Sequence, residues 1–319
     1  MSSGTWGLAL SLANTYVYDS GYHIGNNVNN NTYNQAQAVK MPQYTGGTIS
    51  GTISGYDWEG RGGGILAFHA SGKLIIPGTV QMNGNNGGSG TSDCSYYTAG
   101  GGFRSGWGSN DSSNASRGEG YYAAYMQEGS ETRDNGGGGG NKVCGQDFGN
   151  GAGGSNASQG GQGIANGGCR SYPGYTVGTG DCSIMFLGGG GGGACKSSSY
   201  TNAGGGSGGG IIVIYARELE ITGYVQCNGG NGGSADVGGG GGAGGCILIK
   251  SETITFTNNH IQCNGGSGGT GQSNKPPTNN GGVGWIRIEA CDRTGTTNQG
   301  SVSYVTGGQD WCGVYGGII

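Results

Sequence analysis

The chain has 319 residues, 83 of them glycine, 10 cysteine and 5 proline, with a formal net charge of −4 from 14 basic and 18 acidic residues. Those charges are scattered singly, which leaves no stripe for a phosphate backbone and excludes nucleic acid as an expected partner. The glycines fall in solid runs such as Gly188–Gly193 without a strict third-residue period or abundant proline, which excludes collagen.

Residues 1–60 carry less glycine and an Asn-rich patch from Asn26 to Asn34. They are expected to form an attachment module through which other proteins of the same assembly dock, although TISGTISG would suit a first rung of the body that follows. The opening, MSSGTWGLALSLANTYVYDS, lacks the basic flank and long apolar stretch of a secretory signal, and no window approaches the length of a membrane-spanning helix. Neither an export signal nor a transmembrane segment is expected.

Residues 61–319 read as a glycine-rich body: a first strand pair, a long Gly/Tyr-rich excursion over 84–210, and stacked repeats over 211–319. After Gly64, Gly210, Gly245 and Gly284 the second and fourth positions are Leu66 and Phe68, Ile212 and Ile214, Ile247 and Ile249, and Ile286 and Ile288. The sixth is small each time: Ala70, Ala216, Ser251 and Ala290. This period of two predicts strands with one buried and one mostly wet face. A second alternation follows at Leu74, Ile76, Val80 and Met82, at Leu219, Ile221, Val225 and Cys227, and at Ile254, Phe256, Ile261 and Cys263. It closes on QMNG, QCNG and QCNG, which predict Asn-Gly turns. The third copy has an extra residue near Asn258 and Asn259, expected to form a bulge or looser turn, and the fourth loses the pattern after Ala290 and resumes at Val302 and Tyr304.

Between copies the chain leaves and returns through glycine. Extended polyglycine has three residues per turn and about 3.1 Å rise, and without side chains such helices pack closely enough for every amide to bond laterally. The predicted fold is therefore all-β: a small solenoid or sandwich of stacked strand pairs with packed polyglycine II helices, long glycine-rich excursions and essentially no α-helix.

The cysteines are Cys94, Cys144, Cys169, Cys182, Cys195, Cys227, Cys246, Cys263, Cys291 and Cys312, with no CxxC pair to mark a zinc site. They are read as structural, either as disulfides or as buried reduced thiols. Cys227 and Cys263 occupy equivalent positions, so adjacent rungs would bring them within disulfide range. The excursion also holds Tyr96, Tyr97, Phe103, Trp107, Tyr121, Tyr122, Tyr125, Tyr172 and Tyr175 among Ser, Asn and Gly. That mixture resembles the one paratopes use, since Tyr and Trp offer large amphipathic contact area with few rotatable bonds. With Arg104, which could meet acidic sugars or phosphates, these are the candidate receptor-binding residues; the alternative is that the rings cover glycine surfaces and close the ends of the lattice.

Runs such as GGGIIVIYARELEITGYVQCNGGNGG resemble the glycine-rich repeats of bacteriophage virion proteins. The alternation of GGGGG blocks with short Tyr-rich insertions over roughly residues 60–290 is similar to the polyglycine-sandwich adhesins at tail-fibre tips of T-even-type phages. The resemblance implies a non-enzymatic virion protein, released by lysis and able to form a homo-oligomer. Its exposed loops would grip a host surface receptor, a polysaccharide or an outer-membrane protein. A capsid- or tail-decorating role, or a cellular extracellular filament, is the alternative.

Catalytic patterns fail individually. Gly205–Gly209 spells a nucleophile elbow at Ser207, but no helical periodicity follows it. His23, His69 and His260 lie in unlike contexts far apart in the chain. GGNGGSADV places Ser234 where a calcium-binding nonapeptide needs Asp, and Lys73 precedes Leu74 where a Walker motif needs Ser or Thr. No enzyme activity, metal or cofactor is expected.

Overall fold

A computed structural model describes residues 39–60, 62–91, 98–109, 115–121, 134–140, 148–164, 170–196, 201–271 and 279–306. No α-helix occurs among them. In chain order the strands are β1 (Gln43–Tyr44), β2 (Gly47–Thr48), β3 (Thr52–Ser54), β4 (Ile65–Ile76), β5 (Thr79–Gln81), β6 (Ser89–Thr91), β7 (Phe148–Gly149), β8 (Gly163–Ile164) and β9 (Arg170–Ser171). There follow β10 (Cys195–Lys196), β11 (Asn202–Ala203), β12 (Ile211–Ile221), β13 (Tyr224–Gln226), β14 (Cys246–Phe256), β15 (Ile261–Gln262), β16 (Trp285–Thr294) and β17 (Ser301–Thr306).

The long strands form an open, all-parallel sheet in the order β1-β4-β12-β14-β16-β17, with β2 also on β4. A second parallel sheet runs β15-β13-β5-β3. β4, β12 and β14 each turn into a short strand of the second sheet, and a glycine-rich stretch then returns the chain to its starting end, so the next long strand must run parallel. Leu66, Ile212, Ile247 and Ile286 lie in register, as do Phe68, Ile214, Ile249 and Ile288. Together with Val80, Val225 and Ile261 from the second sheet they fill one buried core.

The small sixth positions also stack in register, Ala70 to Ala216 to Ser251 to Ala290, each fully buried. The strands do not end there. They continue to Ile76, Ile221 and Phe256, and the chain turns beyond those residues. In the third copy the extra residue makes the looser turn expected, with Asn259 in the left-handed region at φ 63°, a conformation Asn tolerates better than most side chains.

Three expectations need correction. The outer face of the large sheet is not wet along its whole length: Ile211, Val213, Cys246 and Leu248 pack beneath Phe103, Cys182 and Leu187 in a second core. The Asn-Gly pairs are not turns, because Asn83, Asn228 and Asn264 open extended segments. Their side chains form a ladder across rungs: Asn228 N donates to Asn83 Oδ1 and Asn264 N to Asn228 Oδ1, each at 2.8 Å, beside a Gln226 Nε2 to Gln262 Oε1 bond of 2.9 Å.

Third, β16 runs on to Thr294, and Val302 and Tyr304 belong to the next parallel strand, β17, opposite Ile286 and Ile288. Here Gln299-Gly300-Ser301 replaces the Gln-Cys-Asn-Gly sequence, and the chain re-enters the sheet directly instead of leaving on a glycine excursion. Of the two readings left open for the cysteines, Cys227 and Cys263 take the reduced one: they are neighbours and free thiols. In-register parallel strands hold their Cβ vectors side by side at the strand spacing of about 4.8 Å, beyond the about 3.8 Å a disulfide prefers. Cys182 and Cys246 are also free and buried, whereas Cys291 is disulfide-bonded. Cys195 is buried beside Gly149, and Cys94, Cys144, Cys169 and Cys312 lie outside the described residues.

Of the segment 1–60, residues 43–54 add β1, β2 and β3 to the same two sheets as a first rung, and residues 1–38 lie outside the described residues.

The glycine segments form a hydrogen-bonded array on the side where the long strands begin. Its rule is a partner that changes with every residue and recurs at the third. Gly239, Gly242 and Gly245 donate to Gly233, Gly230 and Cys227; Gly240 and Ala243 to Gly192 and Gly189; Gly241 and Gly244 to Asn279 and Gly282. The same rotation holds for Gly188–Ala194 and for Gly204–Gly210, whose nitrogens each find carbonyls on three neighbouring segments. Close approach requires glycine: a Cβ on Gly240 would collide with the Ala152 carbonyl, and one on Gly191 with that of Gly240.

Candidate functional site

The array orders the excursion so that its non-glycine residues fall into three groups. The first closes the end nearest the sheets. Phe103 is only 7% exposed and meets Trp58 edge-on at 5.8 Å between ring centroids. Arg104 grips the buried Glu119 with Nε at 3.1 Å and Nη2 at 3.2 Å, and Trp58 Nε1 donates to the same carboxylate at 3.0 Å. Both were expected on an exposed recognition surface. The structure instead uses Phe103 as core and Arg104 as the counter-charge of a buried acid, because segments 98–109 and 115–121 lie side by side in the array. Trp107 is half-buried, its carbonyl accepting from Ser116 N.

The second group is exposed. Tyr121, Tyr172 and Tyr175 are 50%, 48% and 58% exposed, and the 134–138 segment holds the backbone of each. Tyr175 N donates to the Asp134 carbonyl at 2.7 Å, Tyr121 N to Asn135 Oδ1 at 3.1 Å, and Gly138 N to the Tyr172 carbonyl at 2.8 Å. Asn135, fully buried, also donates from Nδ2 to the carbonyls of Ser155 and Leu187. The Tyr121 ring leans on Phe186 at 5.0 Å. Neither Asn135 nor Phe186 was singled out in the sequence, and the only signal for Asn135 is that it is a polar residue immediately before a glycine run.

Beside this group the 179–184 turn exposes Ile184 at 53%. Thr179 Oγ1 donates to Asp181 at 2.5 Å and Ser183 N and Oγ at 3.0 and 2.8 Å, which pulls the Asp181 carboxyl down to about 2. Elsewhere Tyr56, 60% exposed, and Tyr224, stacked on His260 at 4.2 Å, are exposed aromatics that the sequence reading passed over.

The third group lies at the far end of the array, where Ser109 bridges Cys195, β10 pairs β7 and β11 pairs β6. Thr201 N and Oγ1 both donate to Asp236 Oδ2, at 2.6 and 2.8 Å. Tyr96, Tyr97, Tyr122 and Tyr125 lie outside the described residues.

Burial raises the Cys182 and Cys246 thiols to about 12 and pushes Cys263 up as well, so these sulfurs are packing groups and not nucleophiles. Among the described residues no three His, Cys, Asp or Glu side chains converge as metal ligands, and no helix is long and apolar enough to cross a membrane. No protein-family model, no curated protein and no solved structure matches the chain.

Proposed function

We propose that the protein is a non-enzymatic bacteriophage virion component, an adhesin of the tail-fibre tip. In this reading packed polyglycine II helices capping a small parallel β-solenoid hold Tyr-bearing positions rigidly against a host surface receptor. The observation that carries it is the three-residue rotation of hydrogen-bond partners through Gly188–Ala194, Gly204–Gly210 and Gly239–Gly245, which matches the three residues per turn of such a helix. It leaves Tyr121, Tyr172 and Tyr175 exposed on a frame that loses little further entropy on binding. The N-terminal region would dock to other virion proteins.

The test is adsorption. Phage carrying Tyr172→Ala together with Tyr175→Ala in this gene should assemble normally and adsorb to host cells at least tenfold more slowly, with antibody-gold at the distal end of the tail. Unchanged adsorption, or gold along a capsid, a tail shaft or a cellular filament, would contradict the adhesin reading.

A further inference from the structure

We infer that Tyr172 and Tyr175, extended by Tyr121, form a stacking row for an uncharged, extended polysaccharide chain. This rests on the recognition role proposed above and specifies its ligand. Over residues 171–175, Ser171, Pro173 and Gly174 are buried, whereas Tyr172 and Tyr175, three residues apart, stand out at 48% and 58% exposure, and Thr176 beyond them is exposed as well. Their backbones are fixed to the array by the Gly138 N to Tyr172 O and Tyr175 N to Asp134 O bonds. In an extended segment with about 3.1 Å rise, residues three apart point the same way and stand about 9 Å from each other. Two successive hexoses in an extended chain span that distance, so alternate sugar rings would each meet one tyrosine.

The chemistry fits sugars. A pyranose face presents C–H groups to a ring π-face, and its edge hydroxyls can bond the phenolic oxygen. Among the described residues, Arg170 is the only charged side chain in 170–176 and Asp134 beneath the row is buried at 4% exposure, so a single cation stands beside the row and no cluster of cations favours an acidic chain.

The experiment titrates the full-length protein with cellohexaose (uncharged, extended), maltohexaose (uncharged, coiled) and an oligogalacturonate of equal length (acidic, extended). The expected result is measurable cellohexaose binding that is weaker for the other two. It should fall at least tenfold in Tyr172→Ala and in Tyr175→Ala, be kept within about threefold in Tyr175→Phe, and be unchanged in Tyr224→Ala, an exposed tyrosine elsewhere. Preference for the acidic chain, no saccharide binding, or equal loss in Tyr224→Ala would overturn the inference. If the double alanine variant loses host adsorption while the protein binds no saccharide, the adhesin reading stands with a protein receptor. If adsorption is also unaffected, both fall.

Discussion

Gly240 shows what a single missing Cβ does in this molecule. Its nitrogen donates to the Gly192 carbonyl, its carbonyl accepts from Gly206, and an added methyl would strike the Ala152 carbonyl and carbon, which are backbone and cannot rotate away. Gly240→Ala should therefore cost about 1–3 kcal/mol or more, as overpacking of a tight interior does, measured as a fall in denaturation midpoint. Ala243, three residues on and fully buried, shows that the array accepts a methyl where the neighbours leave room. The sequence announces the glycine runs but not which positions tolerate Ala or Ser, because that depends on which segment lies opposite. For the same reason Phe103 and Arg104 read as loop residues in one dimension and become core and counter-ion in three.

The buried thiols set a pH dependence at this scale too. Burial holds Cys182 and Cys246 up at about 12 and raises Cys263, so the folded chain keeps protons that the unfolded chain would release. The sign follows from linkage: their contribution is complete below the ordinary thiol range and is lost as pH rises from about 9 toward 12. Stability from denaturant titrations should decline with pH in that window. Replacing Cys246 by Ala should flatten the decline, and a slope unchanged by the substitution would contradict this assignment.

At the scale of elements, the rung is specified by register. The strands β4, β12, β14 and β16 repeat large apolar residues at the second and fourth positions and a small one at the sixth, so a one-residue slip would turn the apolar set outward. The Gln-x-Asn-Gly motif then reinforces the register from outside through the ladder of Asn83, Asn228 and Asn264. Asn228→Ala would leave the Asn264 amide without its acceptor and should cost about 1–2 kcal/mol. Asn231→Ala removes an equivalent bond to Ser267 N at an exposed site, where water can replace it, and should cost less. The paired strands and their core were legible from periodicity alone. The motif's role was not, because Asn-Gly is also the commonest signature of a tight hairpin turn, and only stacking of copies distinguishes the two. The covering of the outer face was hidden as well, although Val213 and Leu248 at supposedly wet positions hinted at it.

At the scale of the whole molecule, two ways of burying backbone polar groups meet at Gly210, Gly245 and Gly284, where glycine segments pass directly into sheet strands. Main-chain bonds each contribute roughly 0.5–1.5 kcal/mol net, and an array satisfying amides in three directions shares that stabilisation across many segments. The proposed recognition row would depend on this order, since Tyr172 and Tyr175 keep a fixed spacing only if the segment beneath them does. Hydrogen exchange at individual amides tests the point most directly. The account predicts that amides of Gly188–Gly193, Gly204–Gly210 and Gly238–Gly245 are protected to the same degree as Ile212, Ile214, Ile247 and Ile249 in the large sheet and open with them in one cooperative step. Glycine amides exchanging at the rate of an unstructured chain while the sheet stays protected would contradict it.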